Sequence, residues 1–355
     1  MEKLEIKLGN VRILPKENFP RFVAGLGSFG EVFAPLRRPD GVRSFSRVGK
    51  GDGDVGAIDL RHPRTMLPPK KFLFPPEMEM YRFSADGGFT DPPPNGEDGP
   101  KVLLGVHPCD INGLLILDEV FRRYYVDPHY FAKRERLVII GANCEPDDKC
   151  FCKSMRSEYV DKGFDLFLTD IGDAYFLRMG TSLGSDIVVA DPDAFRPVER
   201  ADVRVYKEAE NRRAQALKSQ VELDSLPQIL ELEYDSEVWE EAGGRCLSCS
   251  TCSSVCPTCY CYDVFDHLNL DGASGSRVRR WDSCLLRDHA LVSGGHNFRE
   301  DRDSRVKNRY FHKQVGFVDE YGRPSCVGCG RCIEACPASI NIIEIISRIR
   351  EEVKV

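Results

Sequence analysis

The sequence predicts an α+β chain, with a mixed α/β unit in the N-terminal half and a helical, cysteine-rich C-terminal third. Three observations predict it. Buried-looking apolar runs flank a helical segment between residues 101 and 141, a strongly charged stretch at 203–223 divides the chain, and eleven of the fifteen cysteines lie between Cys246 and Cys336. The expected boundaries are 1–200 for the mixed α/β domain, 201–235 for a linker helix, and 236–355 for the cysteine-rich domain.

Residues 1–100 carry short apolar alternations broken by Gly and Pro, which suggests strand-rich irregular structure, and "DPPPNGEDGP" at 91–100 reads as a loop or linker. Within this region "GLGSFGEV" places Gly25, Gly27, Gly30 and Val32 in the G-x-G-x-x-G-x-V pattern of a kinase phosphate loop. No strand lysine in a V-A-I-K context follows, and neither H-R-D nor D-F-G occurs in the chain, so a kinase is excluded. Pro35 and Pro39 deny the loop a following helix, so no dinucleotide site is indicated either. The three glycines read as turn residues between short strands.

From 101 the pattern changes. "KVLLGV" (101–106) and "RLVIIG" (136–141) read as buried strands, and "DINGLLILDEVFRRYY" (110–125) between them as a helix with Asp110 as N-cap. This is a β-α-β unit with parallel strands. "FDLFLTD" (164–170), "AYFLRMG" (174–180) and "DIVVAD" (186–191) read as further strands. Residues 203–223 read as a solvated helix bridging two domains. In the C-terminal third, 277–292, 303–321 and 339–352 are compatible with helices, the last with Ser339 as N-cap.

A chain of 355 residues has room for two domains and a substantial core. Its net charge of −7 gives no electrostatic reason to expect nucleic acid or an anionic membrane as partner. No apolar run approaches the roughly 20 residues of a membrane span. The opening "MEKLEIKLGNVRILP" lacks the apolar centre of a signal peptide. A cytoplasmic protein without direct membrane insertion is therefore expected. Disulfide frameworks suit small secreted chains with even cysteine counts, so fifteen cysteines here point to metal.

"CLSCSTCSSVCP" (Cys246, Cys249, Cys252, Cys256) and "CVGCGRCIEACP" (Cys326, Cys329, Cys332, Cys336) both match C-x2-C-x2-C-x3-C-P, the run that holds [4Fe–4S] clusters in bacterial ferredoxins. Two residues between cysteines let three thiolates of one loop approach one cube, and the fourth cysteine ligates the other cluster. Cys246, Cys249, Cys252 and Cys336 are thus expected on one cluster, and Cys326, Cys329, Cys332 and Cys256 on a second. Zinc ribbons need paired rather than tripled C-x2-C spacings. The 70 residues from Cys256 to Cys326, with their helix-compatible segments, make the domain similar to the α-helical ferredoxin of fumarate reductase iron–sulfur subunits.

Cys109 and Cys144 each stand three residues beyond a strand of the β-α-β unit, so both emerge at the carboxyl edge of a parallel sheet, where α/β domains place ligands. With Cys150 and Cys152 they make four thiolates, and a third [4Fe–4S] cluster is expected there. Cys259, Cys261 and Cys284 remain. Packing thiols around the clusters are the expectation; the alternative is a further metal site with its own substrate chemistry.

"GVHPCDINGLLILD", "GANCEPDDKCFCKSM", "RCLSCSTCSSVCPTCYC", "RRWDSC" and "SCVGCGRCIEACP" occur in one order along the chain. Together they resemble the β subunits of soluble sulfhydrogenases and the A subunits of anaerobic sulfite reductases, over residues 65 to 340 or so. The resemblance implies an electron-transfer subunit between a flavin-containing NAD(P)H-oxidising partner and a catalytic subunit of hydrogenase, sulfite reductase or heterodisulfide-reductase type. The chain itself shows no nucleotide site and no nucleophile–base pair, so a substrate site is expected on a partner.

Overall fold

The computed structural model describes residues 8–49, 55–91 and 99–353. Most of the expected 91–100 linker lies outside them. The β-α-β unit is present: β6 (Lys101–Val106) and β7 (Leu137–Ala142) are parallel neighbours, joined by a helix over Pro108–Arg123. They form the centre of a seven-stranded sheet. Its other strands are β1 (Val11–Pro15), β2 (Glu31–Arg37), β3 (Arg43–Arg47), β8 (Leu166–Asp170) and β9 (Ala174–Met179), in the order β1-β9-β8-β7-β6-β2-β3. The four central strands β8, β7, β6 and β2 run parallel, and the flanking pairs are antiparallel.

Successive side chains of a strand point to opposite faces, so strands covered on both sides read as continuous apolar runs. Val102, Leu104, Val138 and Ile140 meet the helices Phe19–Leu26 and Ser182–Ala190 on one face. Leu103 and Ile139 meet Ile111, Leu114 and Leu117 of the helix Pro108–Arg123 on the other. A cap at Asp110 would make residue 111 the first helical one, but the helix starts three residues earlier, with His107 as the N-cap and Pro108 the first helical residue. Asp110 lies in the first turn, free to bond elsewhere.

The segment 186–191, expected as a strand, is the end of the helix Ser182–Ala190. The hydroxyl of Thr181 accepts the amide hydrogen of Gly184 at 3.2 Å, and this cap outweighs the β-branched run Ile187, Val188. The charged helix spans Arg200–Ala216 and buries only Asp202 and Tyr206. Tyr206 stacks on Phe176 of β9 at 4.2 Å, and Leu217 and Val221 beyond its end are buried. Of the three N-terminal glycines, Gly25 lies within the helix Phe19–Leu26 and Gly27 caps it in helical conformation. Gly30 alone needs to be glycine, since a Cβ there would stand 2.5 Å from the carbonyl oxygen of Pro100.

The C-terminal third packs the helices Glu237–Arg245, Arg302–Phe311 and Ile342–Glu352 around Trp239, Val306, Tyr310 and Ile346. The last begins after Asn341, whose side chain accepts from the amide of Ile343 at 3.0 Å; Ser339 is left-handed and caps nothing. The segment 277–292 is not a helix. Its start belongs to β11 (Ser274–Trp281), which forms a hairpin with β10 (Tyr262–Leu268). The turn holds Asp271 and Gly272, and the Asp271 carboxylate accepts from the amides of Ala273 and Ser274.

β11 also pairs antiparallel with β4 (Glu77–Ser84), which carries β5 (Phe89–Thr90) on its far edge. The insert between the two cysteine motifs therefore adds a sheet to the N-terminal half. Buried Arg279 of β11 pairs with Asp127, which also caps the helix Pro128–Arg134 by accepting from the amide of Tyr130 at 2.9 Å. Asp127→Ala strands the guanidinium without a counter-charge and removes a cap. The expected loss is about 3–5 kcal/mol from the broken pair, seen as a lower urea midpoint; Asp127→Asn keeps the cap and loses less.

Candidate metal centres

The two cysteine motifs share one backbone. In the first, the helix Glu237–Arg245 ends at Cys246, Ser248 and Ser250 take left-handed conformations (φ +52° and +56°), and a short helix Thr251–Ser254 carries Cys252. In the second, Gly328 and Gly330 are left-handed at the equivalent places (φ +61° and +75°), and Arg331–Glu334 carries Cys332. Each loop turns an amide toward its first sulfur, Ser248 to Cys246 and Gly328 to Cys326, both at 3.4 Å. The amide of Ile340 donates likewise to Cys336 at 3.3 Å. Such N–H···S bonds stabilise negative charge on sulfur and tune an iron–sulfur centre.

The structure gathers the cysteines crosswise. One cavity is lined by Cys246, Cys249 and Cys252 together with Cys336, and by Cys332 at its inner wall. A second is lined by Cys326, Cys329 and Cys332 together with Cys256. Among the described residues no three His, Cys, Asp or Glu side chains converge as a single bound ion would require. The thiols ring spaces instead, as a multi-iron group needs.

Cys109, Cys144, Cys150 and Cys152 are all buried. Cys109 is in the first turn of the helix Pro108–Arg123, whose N-terminal dipole favours anionic sulfur. Cys144 follows β7, and Cys152 has Cys144 and Cys150 as charge neighbours; Cys109 has Cys152 and Cys329. Burial pushes the thiols of Cys150 and Cys326 up to about 11. They ionise only when something compensates the charge, and iron does so with release of protons.

The third group is docked on the second motif. A Cβ at Gly328 would stand 2.6 Å from the backbone of Phe151 and Cys152, in addition to the cost of the left-handed backbone. The first motif carries serines at those places, Ser248 accepting from Arg305 at 3.1 Å, and its Cys249 is exposed. Two arginines hold the junction. Buried Arg331 bonds both oxygens of buried Asp110 (2.6 and 2.7 Å) and the Thr65 carbonyl (2.8 Å). Arg64 donates to the carbonyl of Cys329 (3.0 Å) and to the sulfur of Cys150 (3.1 Å), and pairs with Asp147 and Glu334.

Cys259, Cys261 and Cys284 come together through the hairpin. Tyr262 pairs with Trp281 at its base, so Cys261 precedes one strand and Cys284 follows the other. The free thiols of Cys261 and Cys284 lie beside each other, and Cys259 accepts from Arg309 at 3.4 Å. The signal for this was the Asp-Gly turn between two alternating runs. Nothing in the sequence signalled Arg64, Arg331 or three further buried cations. Lys70 donates to the carbonyl of Cys259 (2.8 Å) and lies over the Trp281 ring; Arg309 and Lys313 bond only to hydroxyls, a carbonyl and sulfur. None of the three has a carboxylate partner among the described residues. Burying an ion costs several kcal/mol, so three unpaired cations amid cysteines fit a group that brings negative charge. Thiolate-ligated iron–sulfur clusters bring it.

Crossed thiol sets, N–H···S bonds and unpaired buried cations together define an iron–sulfur protein. In agreement, residues 245–340 match the family model of the 4Fe-4S dicluster domain. The chain is 39% identical over 344 residues to the sulfhydrogenase 2 subunit beta of Pyrococcus furiosus, covering 95% of this chain and 98% of that protein. It belongs to the family of sulfhydrogenase beta subunits. A shorter likeness, 24% over 126 residues, links 35% of the chain to 25% of the F420-dependent formate dehydrogenase subunit beta of Methanocaldococcus jannaschii. No helix among the described residues is long and apolar enough to cross a membrane.

Gly328→Ala is expected to push the second motif off the 149–152 loop and to lower iron and sulfide content. Ser248→Ala, at the matching position, adds no atom to the loop and removes only the hydroxyl that accepts from buried Arg305 at 3.1 Å, so it is expected to lower both less; colorimetric iron and sulfide assays compare them.

Proposed function

We propose that this chain is the electron relay of a cytoplasmic multisubunit oxidoreductase, carrying electrons between a flavin-containing, NAD(P)H-linked subunit and a catalytic redox subunit. In this reading Cys246, Cys249, Cys252 and Cys336 hold one [4Fe–4S] cluster, Cys326, Cys329, Cys332 and Cys256 a second, and Cys109, Cys144, Cys150 and Cys152 a third. The helical ferredoxin unit and the mixed α/β unit then each supply part of one path. Bound clusters supply one-electron chemistry at potentials set by charge, hydrogen bonding and burial.

The observation that carries the reading is the packing of the three cysteine groups in series. Cys332 lines both the first and the second cavity, and the loop of Cys150 and Cys152 seats on Gly328 of the second. The second group is the middle of the series. The exposed thiol of Cys249 puts one end of it at the surface, where a partner's cofactor can approach. The residues of this chain position, insulate and electrostatically balance the centres; Arg64 and Arg331 hold the second and third in register.

Two measurements test this. The purified chain is expected to hold about twelve irons, four for each of three cubes, and to co-purify with flavin-bearing and catalytic subunits identified by mass spectrometry. About eight irons would remove the third centre, and substrate turnover by the chain alone would give it a substrate site of its own. Cys256→Ala is expected to abolish the EPR component of the cluster ringed by Cys326, Cys329 and Cys332 and to leave the other. Loss of the component nearest Cys246 instead would refute the crossed ligation.

A further inference from the structure

The helix Arg302–Phe311 runs on through a π-helical turn, His312–Gly316, before resuming at Phe317–Tyr321. Single π turns inside α-helices recur at functional sites because they re-aim side chains. Here the turn lies beside the partition between the two cluster cavities. Arg309 and Lys313, four residues apart, line both cavities, with Cys332 and Ile342 shared between the same walls.

Each cation is anchored to a different motif. Arg309 donates to the carbonyl of Cys252 at 3.1 Å and to the hydroxyl of Ser253 at 3.3 Å, both in the first motif. Lys313 donates to the hydroxyl of Thr258 at 2.9 Å, two residues beyond Cys256, and to that of Ser325 at 3.4 Å, next to Cys326. It thus straddles the two chain segments that enclose the second cavity. Both side chains are buried, and neither has a carboxylate among the described residues to neutralise it. Reducing a cluster adds one negative charge in a poorly screened interior, and a fixed buried cation beside it favours that added charge.

We propose that Arg309 and Lys313 are positioning cations in the partition that hold the two reduction potentials up, Arg309 acting chiefly on the cluster of Cys246, Cys249, Cys252 and Cys336, and Lys313 chiefly on that of Cys256, Cys326, Cys329 and Cys332. This rests on the ligation proposed above. No atom is transferred by either residue; each acts through the charge it presents to a cluster that gains and loses an electron.

The test is an EPR-monitored redox titration of the full chain as isolated, with the second cluster's component identified by its loss in Cys256→Ala and the first cluster's by its loss in Cys249→Ala. Lys313→Gln is expected to make the second cluster at least tenfold harder to reduce, a fall of 59 mV for one electron, and to move the first less. Arg309→Gln reverses that order. Lys313→Arg and Arg309→Lys, which keep the charge, leave both midpoints near the wild-type values. Iron-replete Gln variants with unmoved midpoints overturn the inference, as do equal shifts of both clusters by either variant. If the Gln variants lose iron, retention in the charge-keeping variants supports a requirement for charge, and loss there too assigns the residues to packing and overturns it. A wild-type chain lacking two separable cluster signals would instead sink the ligation on which the inference rests.

Discussion

Asp110 and Arg331 meet across 221 residues of sequence, buried and bonded through two parallel contacts. The docking of the second cysteine motif on the α/β unit depends on that meeting. Asp110 follows Cys109 directly, on the helix that crosses over from β6 to β7, and Arg331 precedes Cys332 on the second motif. An ion pair this deep adds little net stability, because two desolvated charges must first be compensated. Its value is register.

Charge balance is the second constraint. A protein of net charge −7 nevertheless buries Lys70, Arg309 and Lys313 beside cysteines and away from its carboxylates. In an empty protein that arrangement is unfavourable several times over. It becomes favourable when thiolates and bound clusters supply the missing negative charge, so on the proposed reading cluster loading and the folding of the C-terminal third stabilise each other. The thiols of Cys150 and Cys326, pushed up to about 11 by burial, fit the same cycle, since binding iron would release their protons.

The cysteine spacing was the most legible feature of the chain, because covalent distance along a tight loop limits which sulfurs can face one cluster. The parallel strands β6 and β7 were legible too, through apolar runs that only a doubly covered sheet explains. Reading failed where local preference and tertiary context disagreed. Ile187 and Val188 look like strand residues but follow a Thr181 cap. Residues 277–281 look helical by charge spacing but lie beyond an Asp-Gly turn and find a partner in β4. The helix Arg200–Ala216 is mostly solvated, as its charges suggest, and few contacts, such as Tyr206 on Phe176, seat it.

The sequence by itself determined which residues can carry metal chemistry and how each cysteine motif bends, since spacing and backbone preference act over a few residues. It also held, in glycine at 328 and serine at 248, a record that the two motifs have different neighbours, though not of who the neighbour is. Tertiary structure alone decided the rest: that Asp110 meets Arg331, that the loop of Cys150 and Cys152 seats on the second motif, and that Arg309 and Lys313 stand in one partition. Those facts depend on contacts between segments tens to hundreds of residues apart. Charge and packing select such contacts only once the whole chain is folded, and no local pattern encodes them.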